Sequence, residues 1–216
     1  MILVIGATGK IGAEVVKQLL GEGRKVRAMA RDPDRARQRL GPGVEIVAGD
    51  LAVPETLGPA MAGVERLFLL CAASPDHVAL KSAGIQAAAR AGVAHVVMST
   101  GITAGPDSPV ELGRWHGRNQ EELKATGMAW TFLQPTYFMQ NMLWLAPGIA
   151  RDGHFSVPLG GSRIAWVDVR DIAAVGVAAL TGEGHAGQAY PITGGAAISC
   201  AEMASILSEV CGRPID

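Results

Sequence analysis

The sequence predicts an α/β fold built on a doubly wound parallel sheet, and three observations carry that prediction. Short apolar runs rich in β-branched residues alternate with longer segments of helical period through most of the chain. Strands buried on both faces read as such runs, and their alternation with helices implies right-handed parallel crossovers. At the start of the chain an apolar run breaks at Gly6, Gly9 and Gly12 and passes into helical periodicity over Ala13–Leu20. Alanine, glycine and valine are plentiful while aromatic residues are 5% of the chain, which suits packed helix and sheet layers.

The elements follow in order. Ile2–Ile5 is the first strand, and the glycine triplet is the turn behind it. Its spacing is G-x-x-G-x-x-G rather than G-x-G-x-x-G. One reading is an ordinary tight strand-to-helix turn. The other is a pyrophosphate cradle, because glycines let backbone approach phosphates and a helix N-terminus offers free N–H groups. Lys25–Ala30 is a second strand ending in Arg31-Asp32-Pro33, and Pro33 opens a short helix to Arg39. An acidic side chain at this strand end favours NAD, and a basic one accommodates the 2′-phosphate of NADP. Arg31, with Arg35 behind it, points to NADP; Asp32 is better placed to start the helix.

Val44–Ala48 is a third strand, closed by Gly49-Asp50-Leu51. Asp50 then either touches adenine or serves the turn before a helix over Pro54–Met61. Arg66–Cys71 is a fourth strand, with Ala72, Ala73 and Ser74 extending it. Asp76–Ala91 is a long amphipathic helix and His95–Ser99 a fifth strand. Glu111–Thr126 is helical and stops at Gly127, and Ala129–Leu133 is a sixth strand. Ser99 and Thr100 either hold the nicotinamide side or cap the next turn.

After Pro135 the pattern changes. Thr136–Leu145 is rich in methionine and aromatic residues, either as core or as the wall of an apolar pocket. Gly153–Pro158 and Arg163–Val167 read as short strands about a Gly160-Gly161 turn. A helix over Asp168–Leu180 capped by Asp168, a strand over Gln188–Ile192 and a helix over Ser199–Val210 complete the chain. Ser199 and Glu202 fit a capping box. The expected division is a nucleotide-binding Rossmann core, residues 1–134, and a small C-terminal substrate-side region, residues 135–216, interleaved with it as one structural unit.

Composition limits the function. The 216 residues suit one domain with a sizeable core, and 49% of them are hydrophobic. A net charge of −1 gives no global field for nucleic acid or acidic membranes. The three cysteines, Cys71, Cys200 and Cys211, have no metal-ligand spacing, and their sparse odd number fits a reducing compartment. His77, His95, His154 and His185 show no metal spacing with carboxylates and read as surface or packing residues. No apolar run reaches membrane-spanning length, no signal-peptide pattern is visible, and a cytoplasmic location is expected.

Gly6-Ala7-Thr8-Gly9-Lys10-Ile11-Gly12, Arg31-Asp32-Pro33, Gly49-Asp50-Leu51 and Arg114-Trp115-His116 together resemble the NmrA-like atypical short-chain dehydrogenase/reductases. So do Trp130–Pro135, Phe138-Met139-Gln140-Asn141 and Val167–Ala173, and the resemblance covers essentially the whole chain. In character it is nearest to bacterial NADPH-dependent quinone oxidoreductases and triphenylmethane-dye reductases. The resemblance implies that Gly6, Ala7, Thr8, Gly9, Lys10 and Ile11 surround a pyrophosphate and that Arg31 binds the 2′-phosphate of NADP(H). It implies that Asp50 and Leu51 flank adenine, that Leu70, Cys71 and Ala72 line the ribose path, and that His116 and Pro135 reach the cofactor. Tyr137, Phe138 and Asn141 would face nicotinamide and substrate.

The departures from that family bear on mechanism. Many members use a Tyr-x-x-x-Lys pair, in which lysine lowers the tyrosine pKa and tyrosine delivers a proton. With His116 in the lysine position, the tyrosine position holds Leu112, and the chain's only tyrosines are Tyr137 and Tyr190. Gln120 and Gln134 stand where relatives often have glutamate and arginine. Relatives also run on past the position of Asp216, so part of the substrate pocket is expected to be missing, open or supplied by another subunit.

The expected function is hydride transfer from NADPH to a quinone-like or conjugated aromatic acceptor. His116, with an ordinary pKa near 6.5, either donates a proton or only hydrogen-bonds the nicotinamide ribose. Tyr137 is a second candidate donor. A redox sensor that binds NADP(H) without turnover is the alternative, and a nucleotide-sugar epimerase suits the fold but lacks its tyrosine. The expected partners are a small hydrophobic aromatic substrate and a second copy of the chain, with no nucleic acid, membrane or metal.

Overall fold

In a fully covered parallel strand both faces are apolar, and successive side chains alternate between them. The computed structural model, which describes residues 1–216, shows this alternation in β1 (Ile2–Ile5). Ile2 and Val4 enter one half of the core and Leu3 and Ile5 the other. On the first face α1 (Lys10–Gly21) and α7 (Val169–Thr181) bury Val15, Leu19, Ile172 and Val177. On the second face α3 (Leu57–Met61), α4 (His77–Ala91) and α5 (Glu111–Ala125) bury Leu57, Ile85 and Leu123. Each fully buried side chain of this kind contributes ~1.5–3 kcal/mol against exposure.

The other strands are β2 (Val26–Ala30), β3 (Glu45–Ala48), β4 (Arg66–Leu69), β5 (His95–Ser99), β6 (Ala129–Pro135) and β7 (Gln188–Ile192). They form one seven-stranded sheet in the order β3-β2-β1-β4-β5-β6-β7, parallel at every pairing. The chain winds outward from β1 to β3, then returns to β4 on the other side of β1. That reversal is the switch point, and a crevice opens there at the carboxyl ends of the strands.

The short polar residues read as helix starts act as such. Asp32 accepts the Arg35 N–H at 3.0 Å and caps α2 (Pro33–Leu40). Asp168 accepts the Arg170 N–H at 2.8 Å and caps α7. Ser199 and Glu202 form a reciprocal capping box on α8 (Cys200–Cys211).

Two expectations fail. Ala72–Ser74 do not extend β4, which ends at Leu69 and leaves them irregular. Gly153–Pro158 and Arg163–Val167 do not form strands; the second segment makes only isolated bridges, Ile164 with Ile198 and Val167 with Phe138. Neither segment pairs with the sheet, which ends at β7 beside β6. The methionine- and aromatic-rich stretch becomes a 3₁₀ turn over Met139–Trp144, followed by α6 (Ala146–Asp152). No helix is long and apolar enough to cross a membrane.

Candidate active site

The site begins with the turn between β1 and α1. Gly6 has φ +82°, and a Cβ there would lie 2.7 Å from the Leu70 carbonyl oxygen. A Cβ on Gly12 would collide with the Gly6 carbonyl and lie 2.9 Å from the Ala7 Cα, so the helix can seat on the turn only without one. The N–H groups of Lys10, Ile11 and Gly12 find no acceptor within the protein. Unsatisfied first-turn amides beside glycine backbone make an anion site. Ala7 and Ile11 bury their side chains in the core, so they offer backbone only.

A cleft of about 410 Å³ continues from this turn. It is lined by Gly6, Thr8, Gly9, Arg31, Asp50, Leu51, Leu70, Cys71 and Ala72, all residues predicted to meet the cofactor. Arg31 is exposed and has no ion-pair partner. Asp32 is engaged as the α2 cap. Asp50 serves its turn by accepting the Ala52 N–H at 3.0 Å and also lines the cleft. Burial pushes the Cys71 thiol above its ordinary pKa, against the pull of Lys81 and Arg31, so the sulfur stays protonated near neutral pH.

Lys10 differs from its predicted role. Its ammonium donates to the Gln140 carbonyl at 3.1 Å and to Asn141 Oδ1 at 3.0 Å. It also lies 4.0 Å from the centre of the Trp144 ring, within cation–π range. Lys10 therefore ties the glycine turn to the substrate-side segment. Gln140 braces the same segment by accepting the Val169 N–H at the start of α7.

The segment itself divides. Phe138 is partly buried and packs against the core, so less of its ring is open than that of Tyr137. Tyr137 is 55% exposed, and Met139, Leu143 and Trp144 are exposed as well, so core packing does not account for them. Tyr137 meets the buried Trp166 with ring centres 5.6 Å apart.

His116 and Pro135 do not line the 410 Å³ cleft. They meet at the ends of β5 and β6: a Cβ on Gly101 would lie 4.0 Å from both His116 Nε2 and the Pro135 carbonyl. His116 is buried, and its Nδ1 lies 3.3 Å from the ammonium of Lys81. Lys81 is fully buried on α4 and donates to the Ser99 carbonyl at 2.6 Å. His77 sits edge-on to His116 at 4.8 Å between ring centres and shares a hydrogen bond with the Ala72 carbonyl at 3.1 Å. Burial first, then the charges of Lys81 and His77, holds the His116 pKa far below its ordinary value. The ring is therefore neutral at working pH, which corrects the expectation of an imidazolium acid titrating near 6.5. Burial lowers Lys81 to about 7.

The Thr100 hydroxyl donates to the Leu133 carbonyl at 2.9 Å and accepts from Gln120, so it is structural rather than a nicotinamide contact. His77 is buried in the site rather than at the surface, while His95 and His185 pack against Thr131 and Tyr190 as expected. Sequence reading missed Lys81. The signal is present: His77, Lys81, Gly84, Ile85 and Ala88 fall on one stripe of α4, and all are buried.

Residues 6–183 match a family model described as NAD(P)H-binding. The chain belongs to this family. It is an NAD(P)H-dependent oxidoreductase of the atypical short-chain dehydrogenase/reductase type. An NAD(P)H azoreductase of Xenophilus azovorans is 51% identical over 215 residues, covering 100% of this chain and 75% of that protein. The triphenylmethane reductase of Citrobacter sp., solved with NADP(H), superposes with a TM-score of 0.90 at 26% identity, covering 99% of this chain and 77% of that one. The NADPH-dependent quinone oxidoreductase of Escherichia coli, solved with NADPH, gives 0.90 at 27% identity over 100% of this chain and 77% of that one. The chain spans about three quarters of the length of these relatives.

Proposed function

We propose that the protein transfers a hydride from NADPH, in preference to NADH, to a quinone-like or other conjugated aromatic acceptor. The observation that carries the cofactor choice is Arg31: a cation without an ion-pair partner stands at the end of β2, while the neighbouring acid, Asp32, is committed to capping a helix.

The residues present fit the dinucleotide. The amides of Lys10, Ile11 and Gly12 take the pyrophosphate, Arg31 the 2′-phosphate, Asp50 and Leu51 the adenine side, and Leu70, Cys71 and Ala72 the ribose path. His116 and Pro135 mark the nicotinamide end. Residues 1–134 serve as the cofactor half and 135–216 as the substrate side. Bound NADPH would supply the hydride, and the protein supplies position. Tyr137, backed by the buried Trp166, and Trp144 offer aromatic surface to a flat acceptor, and Lys10 holds Asn141. Relatives named for azo, quinone and triphenylmethane reduction support this acceptor class.

The test is a panel of quinones, azo dyes and triphenylmethane dyes, each assayed with NADPH and with NADH by loss of reduced-nicotinamide absorbance. Turnover on at least one acceptor, with kcat/KM higher for NADPH, is expected. Tight NADPH binding with no turnover on any acceptor contradicts the reading and favours the redox sensor.

A further inference from the structure

Lys81 has no assigned role, and its setting is costly. A lysine ammonium with no exposed surface is held by one carbonyl oxygen and one imidazole nitrogen, and no carboxylate pairs with it. Removing such a charge from water is costly even after the surroundings relax, so its retention calls for a use. The titratable groups around it are His77 on its own helix, His116 on α5 and Cys71 beyond β4. β5 contributes only the Ser99 carbonyl.

The hydrogen-bond inventory settles who donates. An ammonium has donors and no acceptor, and a carbonyl only accepts. The His116 Nδ1 facing charged Lys81 must then be the acceptor, and the single proton of the neutral ring sits on Nε2. That nitrogen lies on the side of Gly101 and the Pro135 carbonyl, at the carboxyl ends of β5 and β6 where ligands of such sheets bind.

We propose that Lys81 is a positioning residue and proton source that holds His116 in its Nε2–H form and passes a proton through it to the reduced acceptor. The proposal rests on the acceptor reading above for what receives that proton. The relay balances. After hydride addition a quinone carries an oxyanion; an O–H bond forms there as the Nε2–H bond breaks. An Nδ1–H bond forms as an N–H bond of Lys81 breaks, leaving a neutral amine; the cycle closes when solvent returns a proton to Nε2 from the acceptor side and the Nδ1 proton goes back to the buried amine. A histidine too non-basic to carry its own extra proton can still hand one on, because it gains one on the far side as it loses one on the near side. The relay needs the protonated form of Lys81, so quinone turnover falls as pH rises through about 7.

Acceptor chemistry separates this role from a structural one. Hydride addition to a cationic triphenylmethane dye gives the neutral leuco dye without any proton, whereas quinone reduction requires one. In Lys81→Met, quinone kcat should fall ~100-fold, the lower end of general-acid effects, with its pH limb lost, while turnover of the cationic dye stays within ~3-fold. Independently of turnover, nitrogen NMR of His116 in the free protein should show the Nε2–H form in the wild type and a mixture of tautomers in Lys81→Met. Lys81→Gln keeps a neutral donor: it should retain the tautomer and still lose quinone turnover, and it carries the test if the methionine variant fails to fold. Equal losses on both acceptors, or no loss on either, overturn the relay. A wild-type ring with its proton on Nδ1 overturns the positioning role. If the wild type reduces neither acceptor but the tautomer depends on Lys81, the acceptor reading and the relay fall together and the positioning role stands.

Discussion

The two ends of the cofactor cleft are built on different principles. The proposed phosphate end works through backbone: Gly6 and Gly12 allow α1 to press on the turn, and the amides of Lys10, Ile11 and Gly12 are left bare. The proposed nicotinamide end works through buried side chains: Lys81 lowers the pKa of His77 and, together with His77, that of His116, each behind the larger effect of burial. The contrast teaches that affinity and chemistry are separable in this molecule. Changes at the turn should alter binding of the cofactor, whereas changes beneath His116 should alter what happens once it is bound.

The largest expected effect breaks the phosphate end. Gly12→Ala places a methyl group against the Gly6 carbonyl, and backbone cannot yield as a side chain would. Overpacking of this kind costs ~1–3 kcal/mol of stability, and NADPH binding should be lost with it, as measured by thermal unfolding and cofactor fluorescence. Next, Arg31→Ala should raise the KM for NADPH about tenfold or more, consistent with ~1.5–3 kcal/mol for hydrogen bonds to a charged group, with little change for NADH. An equal rise for both cofactors would break the assignment of Arg31 to the 2′-phosphate.

Lys10 sharpens the comparison because it touches both sides. Its bonds go to Gln140 and Asn141 rather than into the turn. Lys10→Ala should therefore raise the KM for the acceptor more than that for NADPH in steady-state assays, by ~3-fold or more from the cation–π contact alone.

The smallest effect lies away from both ends. Asp168→Ala removes the α7 cap and should cost ~1 kcal/mol, read as a lower Tm, without changing the ratio of NADPH to NADH turnover. The bond to Arg170 holds the Asp168 carboxyl well below the usual range. A carboxylate depressed in the folded state stabilises above its unfolded pKa, ~3.9, and that contribution is lost as pH falls through the lower folded value. The Tm gap between wild type and Asp168→Ala should accordingly close in acid.

The same division explains what the sequence made legible. The glycine turn, the Arg31–Asp32 pair and the caps at Asp168 and Ser199 are local devices, governed by residues a few positions apart. As a turn and as helix caps, the glycines, Asp32, Asp168 and Ser199 read correctly before any fold was known. Phe138 and Tyr137 are adjacent, yet one is partly buried against the core and the other exposed, a difference set by long-range packing that includes the bridge of Phe138 to Val167. The strands expected over Gly153–Pro158 and Arg163–Val167 do not form: the second segment finds only the isolated bridges Ile164–Ile198 and Val167–Phe138, and neither joins the sheet. The protonation of His116 was invisible for a similar reason: it depends on a lysine from another helix, brought to 3.3 Å only by the packing of α4 on α5.

The most direct test of the central claim is a single turnover. Protein loaded with NADPH would be mixed rapidly with a quinone, and the reduced-nicotinamide absorbance followed with time. The account predicts a decay whose rate rises with quinone concentration and which is complete for one equivalent of cofactor. A bound cofactor that stays reduced at every quinone concentration would contradict it and leave a protein that binds NADPH without using it.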